Sequence, residues 1–290
     1  MRIALYGNEY QQEHIADITK LFAVLARYNT WIIIEKSFYD YLCCVMPTHP
    51  QVNEIIGEKD DFTATIALSI GGDGTFLHTA QWVSHKGIPI LGINTGHLGY
   101  LADVSVSDID DVIEELMTER YKIECRTVLE VVTMADVEIE HPYALNEVAI
   151  LKQDTSSMIA MRTLVNGIDL TTYMGDGLII STPTGSTAYN ISVGGPILEP
   201  TSCSWVVSPI AAHSLTMRPL VLRDDSVIEV ITNSRVASYR LSLDGRSIAM
   251  PEGSSVTLRK APFAVKVIQR LNHNFAETLR NKLMWGLDKR

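Results

Sequence analysis

An α/β domain built on a parallel sheet, followed by a mainly β domain, is the architecture the 290-residue chain predicts. Two observations carry that expectation. Over roughly the first hundred residues, short apolar runs alternate with helical spacing, which argues for strands in one sheet with helices on its faces. From about Arg126 onward the pattern changes to short β-rich runs broken by turns, with Asn166-Gly167 and Asp244-Gly245 where hairpins need them. A length of 290 residues also suits two domains better than one.

In order, residues 3–6 read as a strand, and 10–28 place Ile15, Ile18, Leu21, Phe22 and Leu25 at helical spacing. Trp31–Glu35 is a second apolar run, and 38–45 is an element whose spacing does not decide its type. Residues 62–70 form a strand that feeds Gly71-Gly72-Asp73-Gly74-Thr75, with a helix over 76–86 and another strand over 88–93. Residues 107–117 have the cap, acidic first turn and apolar spacing of a helix. The β-rich runs follow at 128–134, 143–151, 158–165, 168–173, Gly177–Ser181, 205–210, 226–232, Ser238–Leu243, Ser255–Lys260 and 263–268. An amphipathic helix over 275–285 closes the chain. The predicted division is 1–102, joined by the C-terminal helix of 270–290, and 103–269.

Hydrophobic residues make up 46% of the chain and charged residues 20%, an ordinary balance for a globular protein, so no class is favoured on that ground. A net charge of −10 argues against a general nucleic-acid or acidic-membrane surface, which needs a basic footprint. The cysteines at 43, 44, 125 and 203 form no Cys-x-x-Cys pair, a pattern of reduced cytoplasmic thiols. The first residues lack the apolar run of a signal peptide.

The glycine turn at 71–75 carries the first chemical argument. Its glycines remove the Cβ atoms that would keep a phosphate or ribose from the backbone, and helix-start amides point at any anion that enters. Asp73 has no evident structural task there, and a carboxylate among anion-attracting groups suits metal binding or proton abstraction from an attacking hydroxyl. The plainer reading is a tight turn with Asp at its tip. A second glycine-rich turn, Gly92-Ile93-Asn94-Thr95-Gly96-His97-Leu98-Gly99-Tyr100, leaves the next strand. His97 there is as well read as a backbone-bonded loop histidine as a ligand, and Tyr100 as a plug or as a flat surface for a base. Leu145-Asn146-Glu147-Val148 sets two polar groups in an apolar run, either at a sheet edge or reading an adenine edge and ribose hydroxyls. The stretch from Gly175 to Pro196 is dense in glycine and hydroxyls and lacks charge after Asp176, which suits a polar uncharged partner such as a ribose or carboxamide. No P-loop, no G-x-G-x-x-G after the first strand and no G-x-S-x-G occur, so phosphoryl transfer by positioning keeps more support than hydride or acyl transfer.

Gly-Gly-Asp-Gly-Thr at 71–75, Gly-Ile-Asn-Thr-Gly-His-Leu-Gly at 92–99, Asn-Glu at 146 and 147, and Gly-Asp-Gly-Leu-Ile-Ile-Ser-Thr-Pro-Thr-Gly-Ser-Thr-Ala-Tyr at 175–189 together resemble the bacterial NAD kinase family in order and spacing. The resemblance implies the two-domain fold above, with the last helix returning to the first domain. It implies transfer of the terminal phosphate of ATP, with a divalent metal ion, magnesium foremost, to the 2′-hydroxyl of the adenosine ribose of NAD, giving NADP. By that resemblance Asp73 accepts the hydroxyl proton, Gly74 packs beside it, and Gly71, Gly72 and Thr75 hold phosphate. Asn146 and Glu147 hold the adenosine part. Asp176, Thr187, Ala188, Tyr189, Asn190, Ile191 and Ser192 surround the nicotinamide half, and His78 stands where relatives carry a basic group near the dinucleotide. No residue is assigned as a metal ligand. A cytoplasmic homotetramer acting on small nucleotides is the family expectation. Ser157 and Met174 replace basic or imidazole groups of some members, which leaves the choice between NAD and NADH open, and Arg246 replaces a more usual amide or imidazole. A lipid or sugar kinase sharing the Gly-Gly-Asp-Gly turn, or a non-catalytic NAD sensor, are the rival readings.

Overall fold

A computed structural model describes residues 1–9, 11–96, 99–102, 104–153 and 157–286. The first part contains β1 (Arg2–Gly7), α1 (Ile15–Arg27), β2 (Trp31–Glu35), α2 (Lys36–Val45), β3 (Glu54–Ile56), β4 (Ile66–Ile70), α3 (Asp73–Val83), β5 (Ile90–Asn94), β6 (Val104–Ser105), α4 (Ile109–Met117) and β7 (Tyr121–Arg126). There follow β8 (Leu129–Thr133), β9 (Tyr143–Ala144), β10 (Glu147–Leu151), β11 (Ile159–Val165), β12 (Ile168–Gly175), β13 (Gly177–Ser181), α5 (Tyr189–Ser192), β14 (Ser204–Ile210), β15 (Leu220–Arg223), β16 (Ile228–Asn233), β17 (Ser238–Leu243), β18 (Arg246–Pro251) and β19 (Ser255–Lys260). The chain ends on β20 (Val265–Arg270) and α6 (Phe275–Leu283).

Two compact units result, Met1–Cys125 with Val265–Arg290, and Arg126–Ala264. Residues 103–125, grouped with the β domain on sequence, cluster with the first unit because Ile109, Val112, Ile113 and Leu116 of α4 enter its core. The run at 263–268 likewise becomes β20, parallel to β5 through Val267 and Ile90.

Unit 1 is an eight-stranded sheet of order β3-β2-β1-β4-β5-β20-β7, with β6 beside β5. The pairs β1/β2, β1/β4, β2/β3, β4/β5 and β5/β6 are parallel. Every residue of β4 and β5 is buried, as expected of strands covered on both faces. β4 begins at Ile66, later than the apolar run that starts at Phe62, since the Phe62 ring instead packs on Trp82 with centroids 4.3 Å apart. The undecided run at 38–45 is helical, and the Glu35 carboxylate caps it by accepting the amides of Ser37 and Phe38 at 3.0 and 2.9 Å. β1 pairs with β2 on one side and β4 on the other, so the strand order reverses there, and ligands collect at such a point outside the carboxyl ends of the strands.

Unit 2 is two antiparallel sheets, β15-β14-β13-β10-β17-β18 and β12-β11-β16-β19-β8-β9, which share a core including Val148, Ile180, Trp205, Tyr239, Met161, Val230 and Leu258. The run at 143–151 is interrupted. β9 belongs to one sheet and β10 to the other, and the chain crosses between them at Leu145-Asn146. The Asn166-Gly167 and Asp244-Gly245 turns have φ of 52° and 77°, and 47° and 85°, the left-handed pairs that two-residue hairpins require.

Candidate active site

In unit 1 the glycine turn lies between β4 and α3, as the sequence predicts, and α3 starts early, with Gly72 as its cap and Asp73 as its first residue. A carboxylate suits that end of a helix dipole. Gly71 is fixed by its own backbone, with φ of 150° and a Cβ position 2.3 Å from Thr75 Oγ1. Gly72 and Gly74 are different, since a Cβ at either would meet nothing within 4 Å. Their missing side chains answer no demand of local packing and leave open space at the helix start, where the first amides have no intrahelical acceptor.

Asp73 does have a structural task, contrary to the sequence reading. Its Oδ2 accepts the Tyr100 amide at 2.7 Å, and its Oδ1 accepts those of Leu101 and Ala102 at 2.9 and 3.0 Å. The carboxylate thus staples the second glycine turn to the first. A Cβ on Gly99 would stand 1.9 Å from Asp73 Oδ1, so glycine is what permits the approach. Asn94 completes the turn by donating from Nδ2 to Ala102 O at 3.0 Å and accepting the Gly96 amide at 2.7 Å. A carboxylate offers about four acceptor positions, and with one amide on Oδ2 against two on Oδ1, Oδ2 has capacity left for a hydroxyl. Tyr100 serves through its amide, while its ring faces the Lys282 ammonium of α6 at 5.2 Å. Burial, and then Asp73, raise the proton affinity of its phenol. His97 lies outside the described residues.

Thr75 is buried, and its Oγ1 accepts Asn8 Nδ2 at 3.1 Å. Exposed on α3, His78 joins Tyr6, Asn8, Glu35, Glu58 and Thr75 around a pocket of about 250 Å³ at the carboxyl ends of β1 and β2. Burial, followed by Glu35 and Glu58, pushes the Tyr6 phenol up to about 12. Gln11 was not anticipated as part of this region. It is buried, and its Nε2 donates to Ile70 O at 2.5 Å, at the last residue before the turn.

In unit 2, Asn146 and Glu147 sit at the crossing between the sheets, each only 9% exposed. The amides of Leu145, Asn146 and Glu147 are held by the Asp244 carboxylate at 2.7, 2.8 and 3.0 Å. On the carbonyl side Thr182 donates to Leu145 O from Oγ1 at 2.6 Å and to Asn146 O from its amide at 2.9 Å. Gly185 lies so close that a Cβ would be 2.0 Å from Asn146 O. The Tyr189 amide favours the ionised form of Glu147, while Oε2 is buried with no hydrogen-bond partner among the described residues. Burial, then the neighbouring Asp244, push the Glu147 carboxyl up to about 7. Thr184 Oγ1 is buried without a partner in the same sense.

The stretch after Asp176 divides. Thr187 and Ala188 are half-buried, and Tyr189 and Ser192 are exposed. Asn190, predicted as a ligand contact, is fully buried. Its Nδ2 donates to Ser186 O and Pro196 O, both at 3.1 Å, and its Oδ1 accepts Ser208 Oγ at 2.7 Å. With its amide saturated inside the protein, its side chain holds the turn together. Asp176 pairs with Lys152 at 2.6 Å. Arg246 is also engaged within its own chain, donating to His141 O at 3.0 Å and Tyr143 O at 2.7 Å. Met174 is exposed on β12 opposite Ala160. Among the described residues no group of three His, Cys, Asp or Glu side chains is arranged to hold a metal ion.

A parallel sheet ending in an open glycine turn at a helix start, and a β unit presenting buried, incompletely paired polar groups, define a nucleotide-handling protein of the phosphotransferase class. Comparison with known proteins narrows this. Residues 21–121 match the ATP-NAD kinase N-terminal domain and 145–270 the ATP-NAD kinase C-terminal domain. The NAD kinase of Bacteroides fragilis is 45% identical over 290 residues, covering all of both chains, and that of Porphyromonas gingivalis is 42% identical over 285 residues, 98% of each. The chain belongs to the NAD kinase family. Its fold is similar to that of yeast NADH kinase complexed with NADH, with a TM-score of 0.90 at 22% identity over 100% of this chain and 89% of the other. An NAD kinase from Archaeoglobus fulgidus in complex with ATP gives 0.74 at 24% identity over 98% of each.

Proposed function

We propose that the chain transfers the terminal phosphate of ATP to the 2′-hydroxyl of the adenosine ribose of NAD, giving NADP and ADP. Membership of the NAD kinase family makes it a phosphotransferase acting on NAD, so the proposal concerns donor, position and residues. The observation that carries it is Asp73 at the first position of α3, between two glycines that face open space and with acceptor capacity left on Oδ2.

In this reading the phosphates enter beside Gly71, Gly72 and Thr75, where helix-start amides face the charge that builds on the moving phosphoryl group. Asp73 Oδ2 takes the 2′-hydroxyl proton as that oxygen bonds to the γ-phosphorus and the bond to the ADP oxygen breaks, and Gly74 gives the ribose room. Because the staple to the Tyr100–Ala102 amides fixes the carboxylate in advance, little alignment remains to be made at the moment of transfer. Asn146 and Glu147 hold the adenosine part, the buried Glu147 Oε2 being the acceptor for a hydroxyl. Asp176, Thr187, Ala188, Tyr189, Ile191 and Ser192 contact the nicotinamide half, with His78 near the dinucleotide and Asn190 supporting from within. A divalent cation enters as part of the ATP complex, since such ions are commonly held by substrate phosphates and water. Homo-oligomeric assembly and a cytoplasmic location complete the proposal. Among the described residues no helix is long and apolar enough to cross a membrane.

The test is incubation with ATP, magnesium and NAD, followed by detection of NADP with an NADP-specific dehydrogenase. NADP formation is expected. Phosphate transfer to a lipid or sugar with NAD inert, or NAD binding without ATP consumption, overturns the proposal.

A further inference from the structure

Asp244 stands at a hairpin turn, where Asn would serve the backbone equally well. The turn therefore does not explain why the residue is an acid. Its carboxylate explains it, because the crossing from β9 to β10 takes the amides of Leu145, Asn146 and Glu147 out of any ladder, and both Asp244 oxygens accept from them. An Asn side chain would turn an N–H toward at least one of these donors. The crossing is fastened on its other side by Thr182, so the segment bearing Asn146 and Glu147 is held from both directions.

We propose that Asp244 is a positioning residue for dinucleotide binding: its carboxylate fixes the crossing that presents Asn146 and Glu147, and its negative charge, beside Glu147, tunes how readily Glu147 accepts a hydrogen bond. This rests on the reading of unit 2 as the dinucleotide-binding half. The groups acting on Glu147 are Asp244 and the Tyr189 amide. Burial raises the proton affinity of Asp244, and it is opposed by the three amides and by Arg246, whose guanidinium is tied to the His141 and Tyr143 carbonyls and so stays in place as a fixed counter-charge. Burial and then Asp244 push the Glu147 carboxyl up to about 7, so its acceptor strength changes across neutral pH. Removing the Asp244 charge lets Glu147 ionise at lower pH.

The experiment titrates NAD calorimetrically into wild type, Asp244→Asn and Glu147→Gln from pH 6 to 8.5. It is paired with the ligand-free melting temperature of each across the same range. Wild type should bind NAD more tightly as pH rises through about 7, and Glu147→Gln should show no such rise. Asp244→Asn should weaken binding about tenfold from the loosened crossing and move the midpoint of the rise to lower pH, in both NAD affinity and ligand-free melting. A flat wild-type profile, or a folded Asp244→Asn with unchanged affinity and midpoint, overturns the proposal. If Asp244→Asn fails to fold, Glu147→Gln decides, since a pH dependence equal to that of wild type removes Glu147 as the titrating group. Absence of NAD binding together with a shifted ligand-free midpoint instead overturns the assignment of unit 2 and leaves the coupling of the two acids standing.

Discussion

Replacing Glu147 by Gln removes a buried carboxyl that the fold holds against its ordinary ionisation. The group moves from 4.5 to about 7, first through burial and second through Asp244. At roughly 1.4 kcal/mol for each pH unit, this corresponds to about 3 kcal/mol between protonation states. Glu147 holds its proton more tightly when folded than when unfolded. Between pH 4.5 and 7 the folded state therefore carries more protons, and stability falls as pH rises through that window before levelling off. Gln has no proton to lose, so the stability difference between Glu147→Gln and wild type should start near a constant offset at pH 5, grow in favour of the variant up to pH 7, and then stay level. On the melting temperature this is on the order of 5–10 °C at the plateau. Differential scanning calorimetry of the ligand-free proteins from pH 5 to 8.5 checks it. Parallel curves for the two proteins across that range would show that Glu147 ionises normally, and the reasoning from its unpaired oxygen would fail.

Asp73→Asn should bind NAD yet lose turnover by roughly 100-fold or more, the scale of a missing general base, as read from calorimetry and steady-state rates. Gly99→Ala drives a methyl into the Asp73 carboxylate and should lower kcat on the order of 100-fold in a protein whose circular dichroism is unchanged. Gly72→Ala meets open space and an ordinary φ of −89°, so its melting temperature should hold or rise slightly while the KM for ATP rises about tenfold or more. Gly71→Ala, with φ of 150° and Thr75 in the way, should lose about 1–3 kcal/mol of stability by chemical denaturation. Equal behaviour of the two glycine variants would refute the distinction between phosphate access and internal packing.

Features that depend on one local segment were legible in the sequence. The glycine turn between β4 and α3, the hairpins at Asn166 and Asp244, and the strands Gly177–Ser181, Ser238–Leu243 and Ser255–Lys260 all declare themselves through residue type and period. Short strands did not. β3 has 3 residues and β15 has 4, too few for an alternation to register. What the sequence hid most completely was the partner of each acid. Asp73 looked free, yet it binds amides 27 to 29 positions away, and Asp244 looked like a turn residue, yet it serves a segment 97 to 99 positions away. The partners of Asn190 were hidden too. A polar residue in a hydroxyl-rich run reads as a ligand contact, and only the fold shows Ser208 reaching it from β14.

β20 lies inside the sheet of unit 1, between β5 and β7, although it is drawn from the far end of the chain. During synthesis, unit 2 emerges as one uninterrupted length and can complete both its sheets while unit 1 still lacks an interior strand. The nascent half that bears Asp73 must therefore wait for translation to pass Arg270, and a premature stop ahead of Val265 would release a chain with a finished β sandwich and an unclosed, aggregation-prone partner.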